Sequence, residues 1–183
     1  MTETSSPDNM ALGPDANLNY ALSLLRKGVS AGEVTSEMTS IPPIGEIHSP
    51  PELIPSGQWR SPSGRLLELE ISTSGTGSWL AMHLPIGPSN LSEAGFIGFA
   101  CRSVAPSIEM IRPCIRSGHE DGFSDCFFEK HILAHPEASS HLDALHIASH
   151  RSIPEQATWR ELVLFLPCHD FRWDIHDLRL FIL

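Results

Sequence analysis

Residues 159–183 (WRELVLFLPCHDFRWDIHDLRLFIL) constrain the fold of this chain more than any other stretch. Leu162, Val163, Leu164, Phe165 and Leu166 form an apolar run of strand length, the pattern of a strand buried on both faces. After the turn residues Pro167, Cys168, His169 and Asp170 the pattern becomes strict alternation. Phe171, Trp173 and Ile175 fall on one face and Arg172, Asp174 and His176 on the other, as in a half-buried strand. The apolar parity then flips to Leu178, Leu180 and Ile182, which predicts a bulge near Asp177.

The same period recurs upstream. Leu67, Leu69 and Ile71 alternate with Glu68 and Glu70, and strands are predicted over residues 79–84, 96–102, 108–115 and 142–148, with one or two over 123–133. Pro113, inside its strand, predicts an edge position or a bulge. The total is about eight or nine strands at sandwich spacing. No amphipathic helices alternate with them, which argues against a parallel α/β sheet. The expected fold is mainly β, an antiparallel sandwich of jelly-roll type over residues 57–183.

The first third reads differently. Residues 1–15 are polar, with Pro7, Gly13 and Pro14, and are expected to be a disordered terminus. Residues 16–28 predict an amphipathic helix, with Leu18, Ala21, Leu22 and Leu25 on one face, Arg26 and Lys27 near its end and Gly28 as a left-handed cap. Residues 29–56, rich in Ser, Thr, Gly, Glu and Pro, read as a semi-extended linker. A three-turn helix is marginal alone in water. Leu18, Leu22 and Leu25 therefore dock on their own domain or serve a protein partner or self-association.

Charge narrows the partners. The formal charge is -10, from 22 acidic and 12 basic residues, which argues against nucleic acid or an anionic membrane as the main partner. Only Lys27 and Lys130 are lysine; the arginines suit planar, bidentate hydrogen bonding. No basic segment leads into an apolar one at the amino terminus, and no apolar run approaches the roughly 20 residues that cross a bilayer. Cys101, Cys114, Cys126 and Cys168 form no CxxC pair. Reduced thiols in a cytoplasmic setting are expected, with a Cys114–Cys126 disulfide as the alternative.

The closing pattern WDIHDLRLF at residues 173–181 resembles the last strand of galactose-binding-like jelly rolls, the fold of many carbohydrate-binding modules. Those domains often end in an aliphatic-Asp-Asp-aliphatic strand; here His176 stands for the first Asp and Asp177 remains. The resemblance implies a sandwich that recognises glycans, and a structural calcium for which Asp177 is the candidate ligand. Calcium takes six to eight oxygens, and no acidic run here supplies them, so Asp177 also reads as a salt-bridged surface residue.

For chemistry, His131 with His135 and His146 with His150 have i, i+4 spacing, but neither lies in HExxH. Cys114, His119, Cys126 and His131 match no closed zinc spacing. No GxSxG elbow or SxxK is present, and the glycines of residues 75–79 open no helix. No cofactor and no catalytic residue are expected. Sugar binding on a sandwich needs an aromatic plane for the ring and planar polar groups for the hydroxyls. Trp59, Trp79, Trp159 and Trp173 are the available planes, and Trp173 shares parity with the apolar face. The candidate ligand site is Trp79, Arg102, Arg112, Arg116 and the loop His119, Glu120 and Asp121, with Arg112 and Arg116 on one strand face. The expected function is non-catalytic glycan recognition, the amino-terminal arm attaching the domain to a polysaccharide-synthesis complex or phage-like particle. A structural or adaptor sandwich that binds protein is the alternative, and a small metal-dependent enzyme the second.

Overall fold

Strands with period-two burial and strands buried on both faces make up most of the computed structural model, which describes residues 13–87 and 89–183. The elements are helix α1 (Ala16–Lys27) and strands β1 (Ser30–Val34), β2 (Met38–Ile41), β3 (Gly45–His48), β4 (Leu53–Ser61), β5 (Leu67–Gly75) and β6 (Leu80–Pro85). They continue with β7 (Phe96–Val104), β8 (Glu109–His119), β9 (Gly122–Phe127), β10 (Ile132–Ala134), β11 (Ser139–His146), β12 (Arg160–Leu166) and β13 (Phe171–Ile182). The first sheet has the order β1-β4-β5-β13-β7-β11; the second has β10-β8-β12-β6-β3-β2, with β9 also paired to β8. Neighbouring strands are antiparallel throughout, and the inner faces close on one core that includes Trp173, Phe99, Leu162 and Leu164. This is the expected antiparallel sandwich.

β13 carries the predicted bulge. Its pairing with β7 shifts between Ile175 and Asp177, so His176 is the extra residue. Leu178 and Leu180 thereby return to the core face shared by Phe171, Trp173 and Ile175. β5 pairs only with the first half of β13, ending at Ile175↔Leu67. The second half would expose an unpaired edge, and α1 covers it. The Asn19 carboxamide donates to Leu180 O at 2.8 Å and accepts from Leu180 N at 3.0 Å, as a neighbouring strand would. Arg26 pairs with Asp177 on the same strand, and Ser61 Oγ donates to the Leu25 carbonyl at 2.9 Å.

Several expectations are corrected here. Leu18, Leu22 and Leu25 lie in the domain's own core. Burying each stabilises by roughly 1.5–3 kcal/mol, so the helix docks in cis through these three leucines, which are not available to a partner. Gly28 is extended rather than left-handed, its N–H bonding the carbonyls of Leu24 and Leu25 while the chain runs directly into β1. Residues 29–56 are no linker: they form β1, β2, β3 and the start of β4, and Val34, Ile41, Ile44, Ile47 and Leu53 are core. Pro42, Pro43, Pro50 and Pro51 sit in the turns between these short strands. Pro113 lies within β8 between two partners; its C=O accepts from Phe128, so its missing N–H faces the gap where β10 pairing ends and β9 pairing begins. The expected disordered terminus falls largely outside the described residues.

Cys114 and Cys126 cannot join. Cys126 belongs to the central core and Cys114 to a cluster on the opposite face of the sheet, and all four cysteines are free.

Two predictions follow from this packing. Asn19→Ala leaves the Leu180 N–H and C=O without those partners and is expected to lower unfolding stability by about 1–3 kcal/mol, read from urea midpoints. On β11, His141 faces Phe99 at 5.3 Å and its Nε2 has no partner. Burial lowers its pKa, Lys130 adding to the effect and Asp143 opposing it. The unfolded chain takes up this proton near pH 6.5 while the folded chain resists it, so this contribution is lost as pH falls below that value. The urea midpoint should drop between pH 7 and 5.5, and His141→Gln should flatten the drop.

Candidate ligand face

Because antiparallel partners share a face, the register of the second sheet defines its outer surface as rows of side chains. At one end Phe123 pairs with Gly118, against which Trp159 lies; a Cβ at Gly118 would meet the indole at 2.2 Å. The next row runs Asp125, Arg116, Glu161, Pro85. The third runs Phe127, Cys114, Val163, His83, Glu46, Ser40, and the fourth Arg112, Phe165, Ala81, His48, Met38. Ala81, Cys114 and Val163 form a small buried floor, with Phe127 and Phe165 packed over it. From Trp159 to Phe165 the face extends about 20 Å at roughly 3.3 Å per residue.

The polar groups are held in place. The Arg116 guanidinium makes two 2.7 Å bonds to Asp125 and lies 3.9 Å over the Phe123 ring. That hydrogen bond, more than any other influence, raises the Arg116 pKa. Arg112 lies 3.7 Å over Phe127. The Glu161 carboxylate accepts from His83 Nδ1 at 2.8 Å, and Glu46 from His48 Nε2 at 2.8 Å. Two troughs open on this face. One of about 320 Å³ lies among Pro42, Pro43, Glu46, His83 and Glu161. The other, about 340 Å³, is lined by Trp79, Arg112, Phe127, Phe165 and Cys168. Both volumes lie in the ligand-pocket range.

The outer face of the first sheet is built otherwise. Glu68, which is buried, accepts from Arg60 at 2.8 Å and Arg65 at 2.7 Å, while Asp174 accepts twice from Arg172 at 3.1 Å. A hollow of about 490 Å³ there is lined by Arg60, Pro62, Ser63, Arg65, Glu68 and Arg172, with no aromatic plane. The trough of Trp79, Phe127 and Phe165 differs from this hollow in its aromatic lining.

Of the residues expected to bind ligand, Trp79, Arg112 and Arg116 come together on this face. His119, Glu120 and Asp121 lie at its rim, in the exposed β8–β9 turn. Arg102 does not join them: it lies on β7, level with Asp177 and Ser140 in the other sheet. Asp177, the calcium candidate, is paired with Arg26 and Arg179. Among the described residues no three His, Cys, Asp or Glu side chains converge to hold a metal ion. Phe123, Asp125, Phe127, His83, Glu46, Glu161 and Phe165 were not anticipated. The alternation of Phe123, Asp125 and Phe127 signals a common face, but nothing in the sequence shows which partner strands extend it.

Neither a protein-family model nor a curated protein matches the chain. Solved structures do. The family 11 carbohydrate-binding module of the cellulosomal cellulase Lic26A-Cel5E of Clostridium thermocellum is similar with a TM-score of 0.51 and 13% identity, over 84% of this chain and 96% of that one. A family 11 module from the same organism, in complex with a β-1,3-1,4-mixed-linked tetrasaccharide, has a TM-score of 0.51 and 16% identity, over 81% and 96%. At such identities the likeness is one of fold, and it agrees with the resemblance carried by residues 173–181.

Cys114 under Phe127 and Phe165 reports on this face. Burial, with Asp125 adding, pushes its thiol up to about 12, and burial likewise pushes Cys101 up to about 12. Cys168 is exposed at the trough rim. In the native protein iodoacetamide should label Cys168 alone, with Cys101, Cys114 and Cys126 labelled only on unfolding. Phe127→Ala should speed labelling of Cys114 by about tenfold or more, since reactivity follows access; peptide mass spectrometry reads both.

Proposed function

We propose that this protein is a non-catalytic glycan-recognition module whose site is the outer face of the second sheet. The observation that carries this reading is the composition of that face. Trp79 and Trp159 are 37% and 38% exposed, whereas Trp59 and Trp173 are core. The half-exposed indoles, with Phe123, offer planes for the apolar sides of sugar rings. Between them the Arg116–Asp125 and His83–Glu161 pairs present donors and acceptors already fixed in position, which reduces the ordering cost of binding. The shared fold with carbohydrate-binding modules, one solved with a tetrasaccharide, supports the reading. Leu18, Leu22 and Leu25 are no handle to a larger assembly in this reading, because all three are core.

A protein-binding sandwich is the second reading. It is favoured by one corner of the same face, where Ile108, Met110 and Leu133 are 76%, 56% and 55% exposed and Met110 pairs with Leu133.

The test is a broad glycan array probed with the full chain. Binding is expected, and Trp159→Ala should weaken it by about tenfold or more, the scale of losing one aromatic anchor, in a chain that still unfolds in one cooperative transition. Bound glycan should also slow alkylation of Cys168. A folded protein that binds no glycan would sink this reading in favour of the second.

A further inference from the structure

The charged strand residues of the ligand face differ in one respect. Arg116 is joined to Asp125, Glu161 to His83 and Glu46 to His48. Arg112 has no carboxylate within ion-pair distance among the described residues, yet its guanidinium is set 3.7 Å over the Phe127 ring. A planar cation stacked on an aromatic ring keeps its edge donors directed outward. It opens on the trough that Trp79 also lines.

An unpaired guanidinium beside an indole has two complementary demands: an anion with two coplanar oxygens for the fork, and an apolar ring surface for the indole. Neutral hydroxyls meet only the second fully. A sugar carrying a carboxylate meets both, and the carboxylate matches the fork bidentately, which a lysine could not do. The formal charge of -10 disfavours a long polyanion held by diffuse attraction, so the recognised anion is a single local one. Resting on the glycan reading above, we infer that the Arg112–Trp79 trough takes a uronic acid residue, its carboxylate on Arg112 and its ring on Trp79. The opposite trough, with Glu46 and Glu161, has the reverse sign and receives neutral, hydroxyl-rich residues of the same chain.

The experiment measures binding of the full chain, at 0.15 M salt, to short oligosaccharides bearing one glucuronic or galacturonic acid. The same oligosaccharides with that carboxylate reduced to the alcohol, and neutral oligosaccharides bearing one sulfate ester, are the comparisons. The uronate forms are expected to bind about ten- to a hundredfold tighter than their reduced forms, the scale of a charge-assisted bidentate pair. Arg112→Gln should abolish that preference, the uronate and reduced forms then binding alike, and Arg112→Lys should restore only part of it. Equal affinity for uronate and reduced forms, or a preference that survives Arg112→Gln, overturns the inference while the glycan reading stands. Equal affinity for the sulfate esters overturns the carboxylate assignment. A folded protein that binds none of these and no glycan on the array overturns both.

Discussion

Strand β13 is asked to do two things that a regular strand cannot do together. Its first half must turn Phe171, Trp173 and Ile175 inward, and its second half must do the same with Leu178 and Leu180, which have the opposite parity. The extra residue His176 reconciles them, and with it the pairing to β7 is kept from Asp174 to Ile182. A one-residue slip without the bulge would turn one half of the apolar set to the outside. The remaining difficulty is the edge that β5 leaves uncovered. Helix α1 resolves it by placing Asn19 against Leu180, and Leu18, Leu22 and Leu25 in the core. Helix, first sheet and core are thus tied to one strand.

The two outer faces show how differently a sandwich can finish its surfaces. On the first sheet, arginines and carboxylates satisfy one another: Arg60 and Arg65 on Glu68, Arg172 on Asp174. Such pairs contribute little net stability where solvent reaches them, but they leave few unmet hydrogen-bonding groups to offer a ligand. On the second sheet the floor is small and apolar, and aromatic rings stand around it. The Arg116–Asp125 and His83–Glu161 pairs there span two adjacent rows between Trp159 and the trough of Trp79.

Arginine stacking gives this face its definition. Arg112 and Arg116 each lie over a phenylalanine of β9, so a flexible side chain becomes a planar group of fixed orientation. The two then diverge in role because only one meets an acid. Asp125 is level with Arg116 in the ladder, whereas the residue level with Arg112 is Phe165. A difference of register, rather than of residue type, distinguishes a group already satisfied from one that is free.

Much of the architecture was legible from alternation alone: nine strands from β5 to β13, the buried run of β12 and the parity flip in β13 all follow from period-two patterns that backbone geometry imposes. The amphipathic helix was legible for the same reason at period 3.6. The strands of residues 30–61 were hidden because they are short and separated by prolines and glycines, whose turn chemistry resembles the composition of a linker. That Arg112 and Arg116 share a face was legible because β8 alone places them there; Arg102 was not separable from them without knowing its sheet. The sequence by itself determined which residues alternate, hence the secondary structure and the sandwich class. Only the tertiary structure decided which tryptophans face solvent, which of the two β8 arginines lies level with an acid and where the helix docks. Those depend on which strand lies beside which, and cross-strand neighbours are set by pairing between residues far apart in the chain, which local periodicity does not encode.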